Sequence, residues 1–258
     1  MFKFRTINIA LILCSVVLGV ISAKWYFLLI LVFIYCSILV LGVSFIGLNF
    51  FVSSVNNIPN RRNQIAITFD DGPTPETLEV LKVLSKWKAK ATFFCIGAQV
   101  EKHPDILEQI VKEGHLVGNH TYSHQHTFPV FSQHKMLEDV EKASTEISKI
   151  IGTKPNYFRP PFGVTNPRIA KMLKQTNLIS IGWNKRSLDT SIKDQSKILQ
   201  RITTNLKSGD IILLHDRMPN VANLLNTFFE QTINMGFEFA RVDEMMNADF
   251  SDLGISQT

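Results

Sequence analysis

From Ile7 to Val55 the chain is apolar almost without interruption, and Lys24 is the only charge in that stretch. The run divides into INIALILCSVVLGVISA (7–23) and WYFLLILVFIYCSILVLGVSFIGLNFF (25–51). A bilayer core needs about 20 apolar residues per helix, so the second run is ample and the first slightly short. A cleaved signal peptide has an apolar core of about 7–15 residues followed by a small-residue cleavage site. Here a second, longer apolar run follows at once, which favours retained helices. Residues 1–55 are therefore expected to form a membrane anchor of two transmembrane helices with a tight bend at Ala23-Lys24. One long span with an interfacial helix is the second choice. Lys3 and Arg5 precede the first run, and Arg61 and Arg62 follow the second. These charges would hold both ends of a hairpin in the cytosol, whereas a single span would put the remainder on the other side.

Past a linker at 56–63 the pattern changes, and short apolar runs alternate with amphipathic ones. Strands are expected at 64–70, 90–97, 115–120, 157–161, 178–183 and 210–216, with 237–245 closing the series. Helices are expected between them at 75–87, 103–114, 135–152, 166–175, 194–209 and 223–236. PETLEVLKVLSKW (75–87) puts Leu78, Leu81 and Leu84 on one face, and HPDILEQIVKEG (103–114) opens with Pro and closes with Gly, as helix ends prefer. Seven strands alternating with helices predict a parallel α/β architecture, either a closed barrel or a doubly wound open sheet. In both, ligands gather at the carboxyl ends of the strands.

Composition narrows the function classes. The net charge is +5, with Lys and Arg scattered rather than striped, which argues against a nucleic-acid partner and suits anionic neighbours such as lipid headgroups or wall polymers. Cys14 and Cys36 lie in the apolar front end and Cys95 in a strand-like run, so neither a disulfide framework nor a metal knuckle is indicated.

Polar residues cluster where the strands end: Asp70-Asp71, Asn119-His120, Arg159-Pro-Pro-Phe162 and His215-Asp216. His120 and His124 are four apart, a spacing that lets two imidazoles face one point if the backbone coils into a helical turn. On its own the pair is weak evidence. With a carboxylate from another strand end it makes a hydrolytic metal site that keeps positions open for water. That setting also gives TFDDGP (68–73) a use for two adjacent acids, one as ligand and one as the base for a water activated by the metal. A plain turn at Asp71-Gly72-Pro73, with Asp70 as a cap, is the simpler reading of the same residues.

TFDDGP, HTYSH, RPPFG and LLHD, in this order and separated by strands and helices, resemble the polysaccharide deacetylase family, the family 4 carbohydrate esterases. The resemblance covers 64 to about 245 and excludes the anchor, and residues 64–258 are assigned to the catalytic domain on this basis. It implies a distorted (β/α)7 barrel and one divalent metal ion, zinc first, with cobalt, nickel or manganese as the alternatives. The reaction it implies is removal of acetyl from N-acetylglucosamine-type units of a cell-envelope glycan. Carried over residue by residue, Asp70 is the base, and Asp71, His120 and His124 are the metal ligands. Arg159 holds the base, His215 is the general acid and Asp189 tunes it. Leu213 lines the acetyl pocket, and the backbone N–H of Phe162 meets charge on the carbonyl oxygen. Leu213 and His215, two apart on a strand, would share a wall. The implied partners are an N-acetylated glycan and, through the front helices, a lipid bilayer. Function favours an extracytoplasmic catalytic domain, although the charge flanks allow a cytosolic one.

One motif departs from the family. Where Asp-x-x-Asp-Trp is usual, this chain reads RSLDT (186–190), so Arg186 replaces the first acid and Thr190 the tryptophan. An aromatic wall of the sugar groove is then missing, or comes from Trp183 or from Phe128 and Phe131. Two other readings compete: an amidase for a small amide or cyclic imide, and a glycan-binding pseudoenzyme. His103, His115, His126 and His134 are expected at the surface or in turns, and Trp87 and Met172 in the core.

Overall fold

A strand buried on both faces reads as a continuous apolar run. QIAITFD behaves this way in the computed structural model of the chain, where β1 (Gln64–Asp70) is buried from Ile65 onward. The structure describes residues 4–21, 24–60 and 62–252, with side chains to 247. Lys3, Ala23 and Arg61, on which the expected hairpin and its flanking charges partly rest, lie outside the described residues.

Around β1 stand β2 (Thr92–Cys95), β3 (Leu116–Asn119), β4 (Tyr157–Phe158), β5 (Ile179–Ser180), β6 (Lys185–Arg186) and β7 (Ile211–His215). Every pairing among them is parallel, in the order β5-β4-β3-β2-β1-β7-β6. This seven-strand path is the distorted (β/α)7 barrel. An eighth strand, β8 (Glu238–Phe239), pairs with β1 at Gln64 and Ile65, off the main path. The membership therefore differs from the sequence reading. The run at 237–245 supplies only β8 and the start of a helix, while β6, two residues long, takes its place in the path. A two-residue strand has no periodicity to detect.

The helices are α3 (Thr77–Lys86), α4 (Gly97–Lys102), α5 (Pro104–Lys112), α6 (Gln133–Ile151), α7 (Pro167–Thr176), α8 (Gln195–Thr203), α9 (Val221–Asn234) and α10 (Val242–Asp252), numbered after two front helices, α1 (Phe4–Val20) and α2 (Tyr26–Ser44). Side chains alternate along a strand. On β1, Ile65, Ile67 and Phe69 join Leu81, Leu84, Ile106, Ile110 and Phe228 in the layer between sheet and helices. The other parity faces the barrel interior, where Ala66, Phe94, Ile181 and Ile211 meet Val242 and Met245. A further cluster packs Phe128, Phe131, Met136 and Met172 against Phe158.

Of the front helices, α2 is long and apolar enough to cross a membrane by length and composition, and α1 is shorter. Most of the large apolar side chains that stay exposed lie between Ile9 and Leu48, with Phe33 72% exposed. The two helices are tied by Tyr35, whose hydroxyl donates to Asn8 Oδ1 at 2.6 Å. The end of α2 is bonded to the barrel, because the Thr165 N–H donates to Val43 O at 3.1 Å. Beyond it, Val55 bridges to Ile181 and Asn57 to Asp210. Asn57, in the stretch expected as a linker, is thus paired to the residue that precedes β7. Phe93 and Phe69 stack with ring centroids 5.0 Å apart in the helix-facing layer. Truncating Phe93→Ala should cost about 3–5 kcal/mol of stability, while Val111→Ala at the surface should change it by about 0.5 kcal/mol or less. Urea denaturation of the two variants checks the difference.

Candidate metal and active site

The parity that puts Ala66 inside the barrel also puts Thr68 and Asp70 there, and on β7 it selects Ile211, Leu213 and His215. The registers set Asp70 opposite His215 and Thr68 opposite Leu213. At its carboxyl end β1 leaves the extended conformation, with Asp71 at φ 78°, and the carboxylates of Asp70 and Asp71 both come to face His120 Nε2. Gly72 follows because a Cβ there would collide with the Asp216 carboxylate.

His120 leaves β3 and His124 lies four residues on. The segment between them is a loop rather than the expected helical turn, with Thr121 at φ 67° and His124 at φ 46°. Asn119 shapes it, accepting from the Thr121 N–H at 2.7 Å while its amide donates to Val140 O at 2.8 Å. The outcome is nevertheless convergence. Asp71 Oδ1 lies 3.6 Å from His120 Nε2 and 3.5 Å from His124 Nε2. Ligand atoms of the three residues lie within 4.8 Å of one another.

The protonation states suit a cation. His120 Nδ1 is 2.8 Å from the Arg159 carbonyl, which can only accept, so Nε2 keeps its lone pair for the cluster. Burial, and then the neighbouring His120, push the His124 pKa down to about 4, leaving it neutral near pH 7. Burial works to raise the Asp71 pKa, but His120, His215, His124 and a hydrogen bond from Arg217 outweigh it and bring it below the usual carboxylate value. Two imidazoles and one carboxylate are a donor set that fits a zinc-type divalent ion.

Arg159 is fully buried. Its Nη1 donates to Asp70 Oδ1 at 2.8 Å and to Thr68 Oγ1 at 2.7 Å, Nη2 to Gly182 O at 2.8 Å and Nε to Ile181 O at 3.1 Å. The guanidinium carbon sits 4.1 Å above the Phe94 ring. Asp70 therefore has one oxygen gripped, and its Oδ2 faces His120 Nε2 at 3.8 Å. Across the cavity, Asp189 Oδ1 is 2.7 Å from His215 Nδ1, and its Oδ2 accepts from the His215 N–H at 2.8 Å. Burial lowers the His215 pKa, but Asp189, with help from Asp70 and Asp71, more than offsets that and holds it above the ordinary histidine value.

A cavity of about 150 Å³ collects Asp70, Asp71, His120, His124, Phe162, Leu213 and His215, together with Trp183, Arg186, Leu188, Thr190 and Arg217. Arg159 and Asp189 stand immediately behind it through the bonds just given. Phe162 is 40% exposed, has φ 60°, and its ring stacks on His126 at 5.0 Å. A second cleft of about 400 Å³, lined by Asp189, Lys193, Gln195, Met218 and Asn220 among others, shares Thr190 with the first.

Several expectations change. Phe128 and Phe131 are core residues and offer no groove wall; Trp183 does line the cavity. His115 is buried rather than in a surface turn, its Nδ1 accepting from the Ala91 N–H at 3.2 Å. Arg217, whose Nε donates to Asp71 Oδ2 at 2.7 Å, is not among the residues singled out from the sequence, and Asp216, named there as a strand-end acid without a role, accepts from Thr77 Oγ1 at 2.7 Å. Burial pushes the Asp216 pKa up to about 7. Their one sequence signal is adjacency to His215.

Comparison with known proteins gives the family. Residues 57–180 match the family model for polysaccharide deacetylases. A peptidoglycan-N-acetylglucosamine deacetylase of Bacillus cereus is 36% identical over 196 residues, covering 73% of this chain and 91% of that protein. The solved structure of the peptidoglycan deacetylase PdaC from Bacillus subtilis superposes with a TM-score of 0.70 at 29% identity, covering 75% of this chain and 95% of that one. A family pseudoenzyme from Bacillus anthracis shares the fold at 21% identity and a TM-score of 0.70 over 76% of this chain and 69% of that one. The chain belongs to the polysaccharide deacetylase family, the family 4 carbohydrate esterases.

The Asp189–His215 pair can be tested without any activity. In Asp189→Asn the carboxylate that raises the His215 pKa is gone while burial still lowers it, so His215 should deprotonate at lower pH than in the wild type. Imidazole NMR titration of the metal-free protein reads the shift.

Proposed function

We propose that this protein is a membrane-anchored, metal-dependent hydrolase that removes N-acetyl groups from N-acetylglucosamine-type units of a cell-envelope glycan. One observation carries the proposal: a free carboxylate oxygen of Asp70, held by Arg159, faces the Asp71-His120-His124 cluster, with the Asp189-backed His215 opposite on the neighbouring strand. The cell-wall deacetylases among the relatives support the glycan, and the shared fold of a pseudoenzyme shows why the side chains rather than the barrel must carry the activity.

A divalent cation held by Asp71, His120 and His124, zinc before cobalt, nickel or manganese, would supply Lewis acidity and lower the pKa of water there. Asp70 takes the proton from the attacking water, and Arg159 keeps its carboxylate aimed. His215, kept protonated by Asp189, gives a proton to the departing nitrogen as the amide C–N bond breaks, leaving acetate and a free amine. Leu213 offers the acetyl methyl an apolar wall, and the Phe162 N–H would meet charge on the carbonyl oxygen. The second cleft, which shares Thr190 with the cavity, gives room for sugar units beyond the reacting one. The apolar α2, with α1 packed on it, is read as the anchor, and a wall substrate favours a catalytic domain outside the cytoplasm.

Acetate release from N-acetylated glycans by the purified protein tests the function directly. It should disappear with chelator and return when metal is added back; turnover unaffected by chelation would sink the metal role. Asp70→Asn should lower the rate by about 10²-fold or more, the usual range for a lost general base, yet leave metal stoichiometry intact. Asp71→Asn should lower the metal content itself, read by atomic absorption. With Asp189→Asn the basic limb of the pH–rate profile should move to lower pH, because the proposed acid acts only while protonated and loses its proton sooner.

A further inference from the structure

Two guanidinium groups at the cavity have no part in the proposed hydrolysis. Arg217 follows β7 and donates to Asp71 with its side chain 47% exposed. Arg186 sits on β6 with its Cα opposite Leu213, the residue proposed to meet the acetyl methyl. Both line the cavity. An exposed arginine is ordinarily a solvated charge, but this one has an unusual setting. Among the described residues the Arg186 side chain has no hydrogen bond or ion pair, and its guanidinium carbon lies 5.9 Å from the centre of the Trp183 ring.

The acids nearby cannot be what Arg186 serves, because each is already matched. Asp70 is paired with Arg159 at 2.8 Å and Asp189 with His215 at 2.7 Å. Asp71 has Arg217 on one oxygen and two imidazoles on the other. A cation held by that cluster would add further positive charge beside Arg217, and both guanidiniums line the same cavity. A neutral N-acetyl sugar offers such groups nothing to pair with. The planar fork of arginine is suited to a carboxylate or a phosphate.

We infer that the substrate carries an anionic group, a carboxylate or a phosphate, close to the N-acetyl group that is removed, and that Arg186, assisted by Arg217, recognises it. This rests on the deacetylase reading above and sharpens its substrate class. The replacement of an acid by Arg186 in RSLDT is then a change of specificity: an acid there would repel the group that an arginine attracts. The anion has two chemical sources, an acid substituent on the sugar ring or a phosphate on the sugar's reducing end.

The test compares three matched N-acetylated saccharides with the full chain in detergent: neutral, carboxylate-bearing and phosphate-bearing. One anionic arm should exceed the neutral one in kcat/KM by roughly tenfold, the worth of one charge-assisted hydrogen bond, and which arm does so identifies the source. Arg186→Ala should collapse that ratio, Arg186→Lys should keep part of it, and added salt should shrink it. Equal kcat/KM across the arms, or a ratio that survives Arg186→Ala, overturns the inference. If no arm releases acetate, the deacetylase reading itself fails. Calorimetric binding to the metal-free protein then decides the arginine site: tighter binding of an anionic sugar that Arg186→Ala abolishes upholds it, and equal affinities overturn it.

Discussion

A buried guanidinium holds the candidate site together. Arg159 has no exposure, and a charge in that position is tolerated only when its donors are met. Asp70 supplies the countercharge, while Thr68 and the carbonyls of Ile181 and Gly182 take the remaining bonds. Removing one partner from such a pair leaves an uncompensated charge, typically at a cost of about 3–5 kcal/mol. Asp70 is thereby prevented from turning away, and its free oxygen must face the cluster. The same residue acts through its main chain, since the Arg159 carbonyl meets His120 Nδ1 and so fixes which imidazole nitrogen is left to bind. One position in RPPFG thus orients both the proposed base and a proposed ligand.

The bonds of Arg159 also reach the chain that follows β5, and that chain links the site to the front of the protein. Gly182 accepts from Arg159 and donates to Val55, and Trp183 beside it lines the cavity. On the other wall, Phe162 and Gly163 lead directly to Thr165, whose N–H is bonded to the end of α2. The apolar hairpin is therefore joined to the rim of the cavity by short contacts rather than by a free tether. A chain docked in this way has little reach. If α2 crosses a membrane, the cavity rim stays close to the surface of that membrane.

Much of this was legible from residue order. Apolar runs marked β1, β2 and β7 because strands covered on both faces need apolar residues at every position, and amphipathic runs marked the helices. The rule that sites lie at strand ends nominates Asp70, Asp71, His120, Arg159 and His215 as neighbours, the four-residue spacing adds His124, and the family resemblance supplies their roles. The failures have a common cause. β6 and β8 are two residues each, too short for any pattern, and exist only because a neighbouring strand offers them bonds. Phe128, Phe131 and His115 were misplaced because burial depends on what packs over a residue, which composition does not reveal.

By itself the sequence determined the alternation of elements, the apolar front end and the set of ionisable groups at the strand ends, since these follow from local hydrophobicity and from covalent alternation along a strand. Only the tertiary structure decided which oxygen of Asp70 is gripped by Arg159, which imidazole nitrogen is free, and that Arg186 and Arg217 share one cavity with them. Those outcomes depend on distances of a few ångströms between segments far apart in the chain. Charge pairing and hydrogen bonding are decided at that range, after the barrel has brought its strand ends together.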